Sequence, residues 1–127
     1  MTKQTILVVE DSDSLREVLV EKLQDENFDV LSANGGEMGY TTALEKRPDM
    51  IITDIVMFPV DGLEMAKRIR ESGDWGKEVH IITLTNQNSS EDEKRVHDLE
   101  LTAYLVKAET SLDEVVKNVK AILKKKK

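Results

Sequence analysis

The chain has 127 residues, with 18 Lys and Arg against 25 Asp and Glu for a formal net charge of −7. That length suits one domain with an ordinary core, and 39% apolar with 34% charged residues is the composition of a soluble globular protein. The lack of cysteine removes disulfides, thiolate metal sites and thiol nucleophiles, and the acidic balance argues against direct nucleic-acid binding. No apolar run approaches the length of a membrane-spanning helix, and MTKQTILVVED does not have the pattern of a secretory leader, so a cytoplasmic location is expected. The basic tail at 124–127 reads as a solvated helix end.

In chain order, short apolar runs rich in β-branched residues alternate with amphipathic stretches. Ile6, Leu7, Val8 and Val9 predict a strand buried on both faces. Leu15, Val18, Leu19 and Leu23 recur at helical spacing, and Ser14 with Glu17 predicts a capping-box start for that helix. A weaker strand is expected over 28–31. The stretch 34–47 is helical in pattern, but Gly35, Gly36 and Gly39 each cost about 1 kcal/mol inside a helix, which leaves its start undefined. Residues 50–55 predict a third strand with Asp54 near its carboxyl end, and Leu63, Ala66 and Ile69 outline a third helix. A fourth strand is expected over 79–84, then a polar stretch 85–93 in which Ser90 and Glu93 cap a short helix. The fifth strand is 103–106. Ser111 and Glu114 cap the last helix, whose buried stripe is Leu112, Val115, Val116, Val119, Ile122 and Leu123.

Five strand–helix units in one short chain imply an α/β fold, a doubly wound five-stranded parallel sheet with helices on both faces. The single domain covers 1–127, with its core at about 3–123 and the lysine tail beyond. Such sheets bind ligands outside the carboxyl ends of their strands. There the sequence places Glu10 and Asp11 after strand one, Asp54 at strand three, Thr85 after strand four and Lys107 after strand five. Any one of these alone would be an ordinary strand end; together, at one edge, they make a site. Like charges about 4 Å apart repel by about 4 kcal/mol at an effective dielectric near 20. Clustered Glu10, Asp11 and Asp54 therefore call for a cation or a raised pKa. A hard divalent ion is the natural answer, and magnesium suits a site of few carboxylates that keeps waters and recruits a phosphate oxygen. Aspartate is a phosphoryl acceptor through an acyl phosphate, and Lys107 can grip a transferred phosphoryl group.

The pair Glu10-Asp11, Asp54 followed by Asp61-Gly62, Thr85, Tyr104 and Lys107 together resemble the receiver domain of two-component response regulators. The resemblance spans nearly the whole chain and implies a flavodoxin-like (βα)5 fold with the strand order 2-1-3-4-5 of the chemotaxis receiver. It also implies roles. Asp54 corresponds to the aspartate that takes a phosphoryl group from a sensor histidine kinase or a phosphotransfer protein. Asp11 corresponds to a direct magnesium ligand, with Glu10 acting through water and the backbone carbonyl of Val56 as a further ligand. Lys107 would contact a phosphoryl oxygen, and Thr85 would donate its hydroxyl to another and move inward. Tyr104 resembles the aromatic switch that swings from exposed to buried. The implied product is a phosphorylation-controlled switch that catalyses only its own phosphoryl transfer and slow hydrolysis, a monomer or weak homodimer binding a downstream protein through about 89–123.

Three positions depart from the family. Phe58 stands where proline usually follows the acceptor by four, with Pro59 one later; Asn86 replaces a small residue; Ala108 replaces the proline after the lysine. A cis bond before a non-proline residue costs about 2.5–4 kcal/mol, so Lys107–Ala108 is expected to be trans, with Lys107 still reaching the pocket on its flexible stem. Other classes fit less well. Glu10-Asp11-Ser12-Asp13 would repel a flavin phosphate, Val56 stands where a haloacid-dehalogenase phosphatase needs a second aspartate, and Gly35-Gly36-Glu37 lacks a P-loop lysine. His80 and His97 lack a second ligand at metal spacing. The alternative that stays open is a receiver-fold module that signals by docking with little phosphorylation; the intact acidic pocket argues against it.

Overall fold

The computed structural model describes residues 3–86 and 89–125. Strands β1 (Thr5–Val9), β2 (Asp29–Ala33), β3 (Met50–Thr53), β4 (His80–Thr85) and β5 (Ala103–Val106) form one sheet in the order β2-β1-β3-β4-β5, all pairs parallel. The helices are α1 (Asp13–Asp25), α2 (Gly36–Lys46), α3 (Gly62–Arg70), α4 (Asp74–Glu78), α5 (Ser90–Asp98) and α6 (Leu112–Lys125), with a 3-10 turn at Lys107–Glu109. This is the expected 2-1-3-4-5 α/β fold.

Strand side chains alternate between the two faces, and both faces are covered. Ile6, Val8, Met50, Ile52 and Ile82 pack with Leu19 and Leu23 of α1 and Val115, Val119 and Leu123 of α6. Leu7, Val9, Ile51 and Ile81 pack on the other side with Ala43 of α2 and Met65, Ala66 and Ile69 of α3. A smaller cluster of Ile55, Leu63 and Val96, with Tyr104 against it, lies under α5. The register aligns the strand ends: Val9 pairs with Thr53, Thr53 with Thr83, and Thr85 with Val106. Glu10, Asp54 and Lys107 each follow directly on these paired residues, so the backbone itself brings them to one edge.

Several boundaries differ from the sequence expectations. Helix α1 is capped by Ser12, whose Oγ accepts from Leu15 N at 3.4 Å, and not by Ser14; it starts two residues earlier than expected. Val18 is 43% exposed and stands outside the buried stripe of Leu19 and Leu23. Ser89, not Ser90, caps α5, its Oγ accepting from Asp92 N at 3.2 Å. In both cases neighbouring hydroxyl residues can cap, and the hydrophobic docking of the helix selects between them. Strand β2 runs later than 28–31, because Phe28 turns into the α1–α6 core. Strand β3 ends at Thr53, leaving Asp54 as the first residue of the following loop. Helix α4 was not expected; its five residues are too short for a periodic signal.

Glycines resolve the start of α2. Gly35 is the N-cap, and Gly36 and Gly39 lie inside the helix and are buried. A Cβ on Gly36 would overlap the Val60 carbonyl oxygen, and one on Gly39 would lie 2.7 Å from Met65 Sδ. The helix accepts their propensity cost because only a bare backbone lets α2 approach β1 and the segment leading into α3. The last helix starts as expected, with Ser111 N donating to Glu114 Oε1 at 2.8 Å and Glu114 N to Ser111 Oγ at 3.1 Å. The end of the lysine tail, 126–127, and positions 87–88 of the polar stretch lie outside the described residues.

Candidate functional site

Glu10 and Asp54 are 2% and 6% exposed, whereas Asp11 beside them is exposed. One carboxylate oxygen from each of the three lies within 4.8 Å of the others; among the described residues this is the one group of three or more acidic or histidine side chains placed to hold a metal ion. Lys107 reaches in from the end of β5, its Nζ 3.1 Å from Glu10 Oε1 and 3.3 Å from Asp54 Oδ2. The Lys107–Ala108 bond is trans, as expected; the cis bond among the described residues precedes Pro59.

The two buried acids, Asp54 and Glu10, are held by the backbone as well. Asp54 Oδ1 accepts from Ile55 N at 2.7 Å, leaving Oδ2 on the lysine side. The Asp54 carbonyl accepts from Thr53 Oγ1 at 2.8 Å. Glu10 Oε2 accepts from Ser12 N at 3.1 Å. Burial pushes the Glu10 carboxyl above its ordinary range, and the Asp54 charge adds to this; the Ser12 amide and the Lys107 ammonium act the other way.

One ammonium cannot balance three carboxylates. The remaining negative charge, presented on hard oxygen donors with Asp11 open to solvent, fits a small divalent cation that keeps part of its water shell. The chemistry of the donor set thus suits magnesium, with Glu10, Asp11 and Asp54 as the side chains able to hold it.

The remaining sequence-predicted residues surround this edge. Thr85 is 1% exposed at the last position of β4. Tyr104 on β5 is half-buried, and its phenol oxygen accepts from Ser89 N, the cap of α5, at 3.0 Å. Val56 and Phe58, in the loop after Asp54, are 69% and 93% exposed. Asp61 caps α3 by accepting from Glu64 N at 2.7 Å, and its other oxygen lies 3.9 Å from Arg95 of α5. His80 and His97 take no part: His80 Nδ1 pairs with Thr102 Oγ1 at 3.1 Å, and His97 faces Asp98 at 3.9 Å.

Two arginines escaped the sequence reading. Arg16 of α1 donates from Nη1 to the Glu10 carbonyl oxygen at 2.8 Å and from Nη2 to Asp13 Oδ1 at 2.6 Å. Arg70 donates to the carbonyls of Gly76, Val79, Leu99 and Glu100, tying the amino-terminal edge of the sheet together. In sequence both look like ordinary helix-surface charges. Only Arg16, five residues past Asp11, stands close enough to that pair to have carried a signal.

A parallel sheet of this order, with an acid pair after β1, a buried acid after β3 and a lysine after β5, has the architecture of a receiver domain. The model of the response regulator receiver domain matches residues 6–120, and the chain belongs to that family, the signalling switches of two-component systems. It is 35% identical over 122 residues to the transcriptional regulatory protein SrrA of Staphylococcus aureus, across 94% of this chain and 48% of that protein. The chain therefore spans about half the length of the curated relatives it matches. Among solved structures, the chemotaxis response regulator CheY4 of Vibrio cholerae superposes with a TM-score of 0.87 at 29% identity, covering 95% of this chain and 99% of that one. A response regulator receiver protein from Pseudomonas putida gives 0.87 at 27% identity, covering 95% and 98%. None of the helices among the described residues is long and apolar enough to cross a membrane.

Proposed function

We propose that this receiver domain, one unit over about 3–123, takes a phosphoryl group on Asp54 from a phosphohistidine of a sensor kinase or phosphotransfer protein. The observation that carries the reading is the position of Asp54. It is buried at the carboxyl edge of the sheet, one oxygen is held by Ile55 N, and the other faces Lys107 Nζ at 3.3 Å.

In the forward step a carboxylate oxygen of Asp54 attacks phosphorus. An acyl-phosphate P–O bond forms, the P–N bond breaks, and its electron pair returns to the imidazole. Asp54 Oδ2 is the oxygen aimed at the pocket, since Oδ1 is committed to the Ile55 amide. Lys107, freed from Asp54 Oδ2 as that oxygen becomes esterified, turns its ammonium to the phosphoryl oxygens and balances their charge. Thr85 supplies its hydroxyl to another phosphoryl oxygen. Asp11, Asp54 and the Val56 carbonyl would hold magnesium, with Glu10 acting through water; bound there, the ion supplies charge neutralisation to the transferring group. Hydrolysis by water, slow and at the same phosphorus, returns the free carboxylate.

The output is a change of surface. Movement of Thr85 toward the phosphoryl group vacates space toward which Tyr104 can turn. Tyr104 then gives up its bond to Ser89 N, so α5 loses a tether at its cap. The surface of α5, β5 and α6 is the one offered to a downstream protein, in the cytoplasm and from a monomer or weak homodimer.

The test is a phosphotransfer profile in which the host's own histidine kinases are autophosphorylated and each is mixed with the domain. Rapid transfer from one of them, lost in Asp54→Asn, is expected. No transfer from any would favour a module that signals by docking alone.

A further inference from the structure

We infer that Arg16 is a positioning residue for the metal-binding acid pair, an inference that rests on the magnesium reading above. Asp11 is exposed, so packing does not hold it. What fixes its place is the turn it sits in. The oxygen to which Arg16 Nη1 donates, at 2.8 Å, belongs to the peptide joining Glu10 to Asp11. Arg16 Nη2 holds the Asp13 carboxylate on the far side of Asp11 at 2.6 Å. One planar guanidinium thus straddles the exposed acid and clamps the chain on either side of it.

The rest of the turn is tied to the same frame. Ser12 N donates to Glu10 Oε2 at 3.1 Å, and the Ser12 carbonyl accepts from Arg16 N at 2.9 Å. Arg16 itself is only 18% exposed in its side chain, although its ion-pair partner Asp13 is 81% exposed. A surface charge serving solubility would not be drawn down onto a backbone carbonyl in this way. The two-acceptor geometry needs the rigid fork of arginine; a lysine ammonium at the same place supplies charge without the fork.

Positioning and plain electrostatics predict opposite signs. Arg16 is a cation near a cation site, so if charge were its whole effect, removing it would tighten magnesium binding. If it holds the turn, removing it weakens binding although a positive charge has left.

The experiment is a calorimetric titration of the full chain with magnesium chloride for the parent, Arg16→Lys and Arg16→Gln, with amide hydrogen exchange on the metal-free proteins. Both variants are expected to bind magnesium about tenfold more weakly, the lower end of the loss seen for outer-shell partners of metal ligands. Amides of residues 11–13 should exchange faster in both, with the β1 and β3 amides unchanged. Parent-like affinity in Arg16→Lys, or tighter binding in Arg16→Gln, would overturn the inference while leaving the metal reading standing. A parent that binds no magnesium would overturn the metal reading and this inference with it, whatever the exchange rates show.

Discussion

A side-chain carbon on Gly62 would overlap the carbonyl oxygen of Asp54, so the first turn of α3 approaches the backbone of the proposed acceptor only because residue 62 is glycine. The closeness has a purpose in the loop: Gly62 N donates to the Ile55 carbonyl at 2.8 Å, closing the segment that carries Val56 and Phe58. Gly62→Ala should destabilise the fold by about 3 kcal/mol, the upper end of the overpacking range, because the obstacle is backbone and cannot rotate away. Urea unfolding measures this. A variant as stable as the parent would mean that α3 shifts freely and does not set the position of Asp54.

Lys107 bridges two largely buried carboxylates. Lys107→Ala leaves Glu10 and Asp54 facing each other without their cation, a loss of about 2 kcal/mol in metal-free buffer at neutral pH. Magnesium should then stabilise this variant more than it stabilises the parent, since the ion takes over the missing charge. Denaturant midpoints with and without magnesium test both parts; a smaller magnesium gain in Lys107→Ala than in the parent would contradict the account.

Asp11 is the exposed member of the cluster and adds to its repulsion. Asp11→Ala should therefore melt at or above the parent temperature without metal, yet show none of the stabilisation by mass action that magnesium gives the parent. Thermal melts over a magnesium series decide this. Equal stabilisation of parent and variant would remove Asp11 from the metal site.

Helices α1 and α6 are joined by ion pairs, Lys120 Nζ to Glu26 Oε1 at 2.6 Å and Lys22 Nζ to Asp113 Oδ1 at 2.9 Å. The hydrogen bond from Lys120, then its charge, holds the Glu26 carboxyl below its ordinary range, and Lys22 does the same to Asp113. A carboxyl lowered by folding contributes stability that is full above its unfolded pKa and is lost as pH falls through the lowered folded value. Melting temperature should thus fall on acidification below about pH 5, and less steeply in Glu26→Gln/Asp113→Asn. The difference should be small and vanish near 1 M salt, because these groups are exposed. An unchanged acid slope in the double variant would show that the pairs add nothing to stability.

The fold was legible because its strands are buried on both faces: Ile6 to Val9 and Met50 to Ile52 had to be continuous apolar runs. The site was legible because chemistry in such a sheet falls at strand ends, and Glu10, Asp54 and Lys107 occur there and are brought together by register. What the sequence withheld were choices among equals. Ser12, Asp13 and Ser14 all favour a helix start, and only the docking of α1 selects Ser12. Val18 has the spacing of a core residue but sits at the rim of the apolar stripe. Gly36, Gly39 and Gly62 owe their positions to backbone approaches between elements far apart in sequence, which no local pattern records. Arg16 and Arg70 act on backbone carbonyls, which every residue carries, so composition gives no hint of their partners.

The most direct test is incubation with acetyl phosphate and magnesium, followed by intact-mass and peptide mapping, since a small donor bypasses the unidentified kinase. The account predicts one added phosphoryl group, located on Asp54, lost in alkali as an acyl phosphate is, and absent from Asp54→Asn. Labelling of Asp54→Asn at the parent rate, or no labelling of the parent at all, would contradict it.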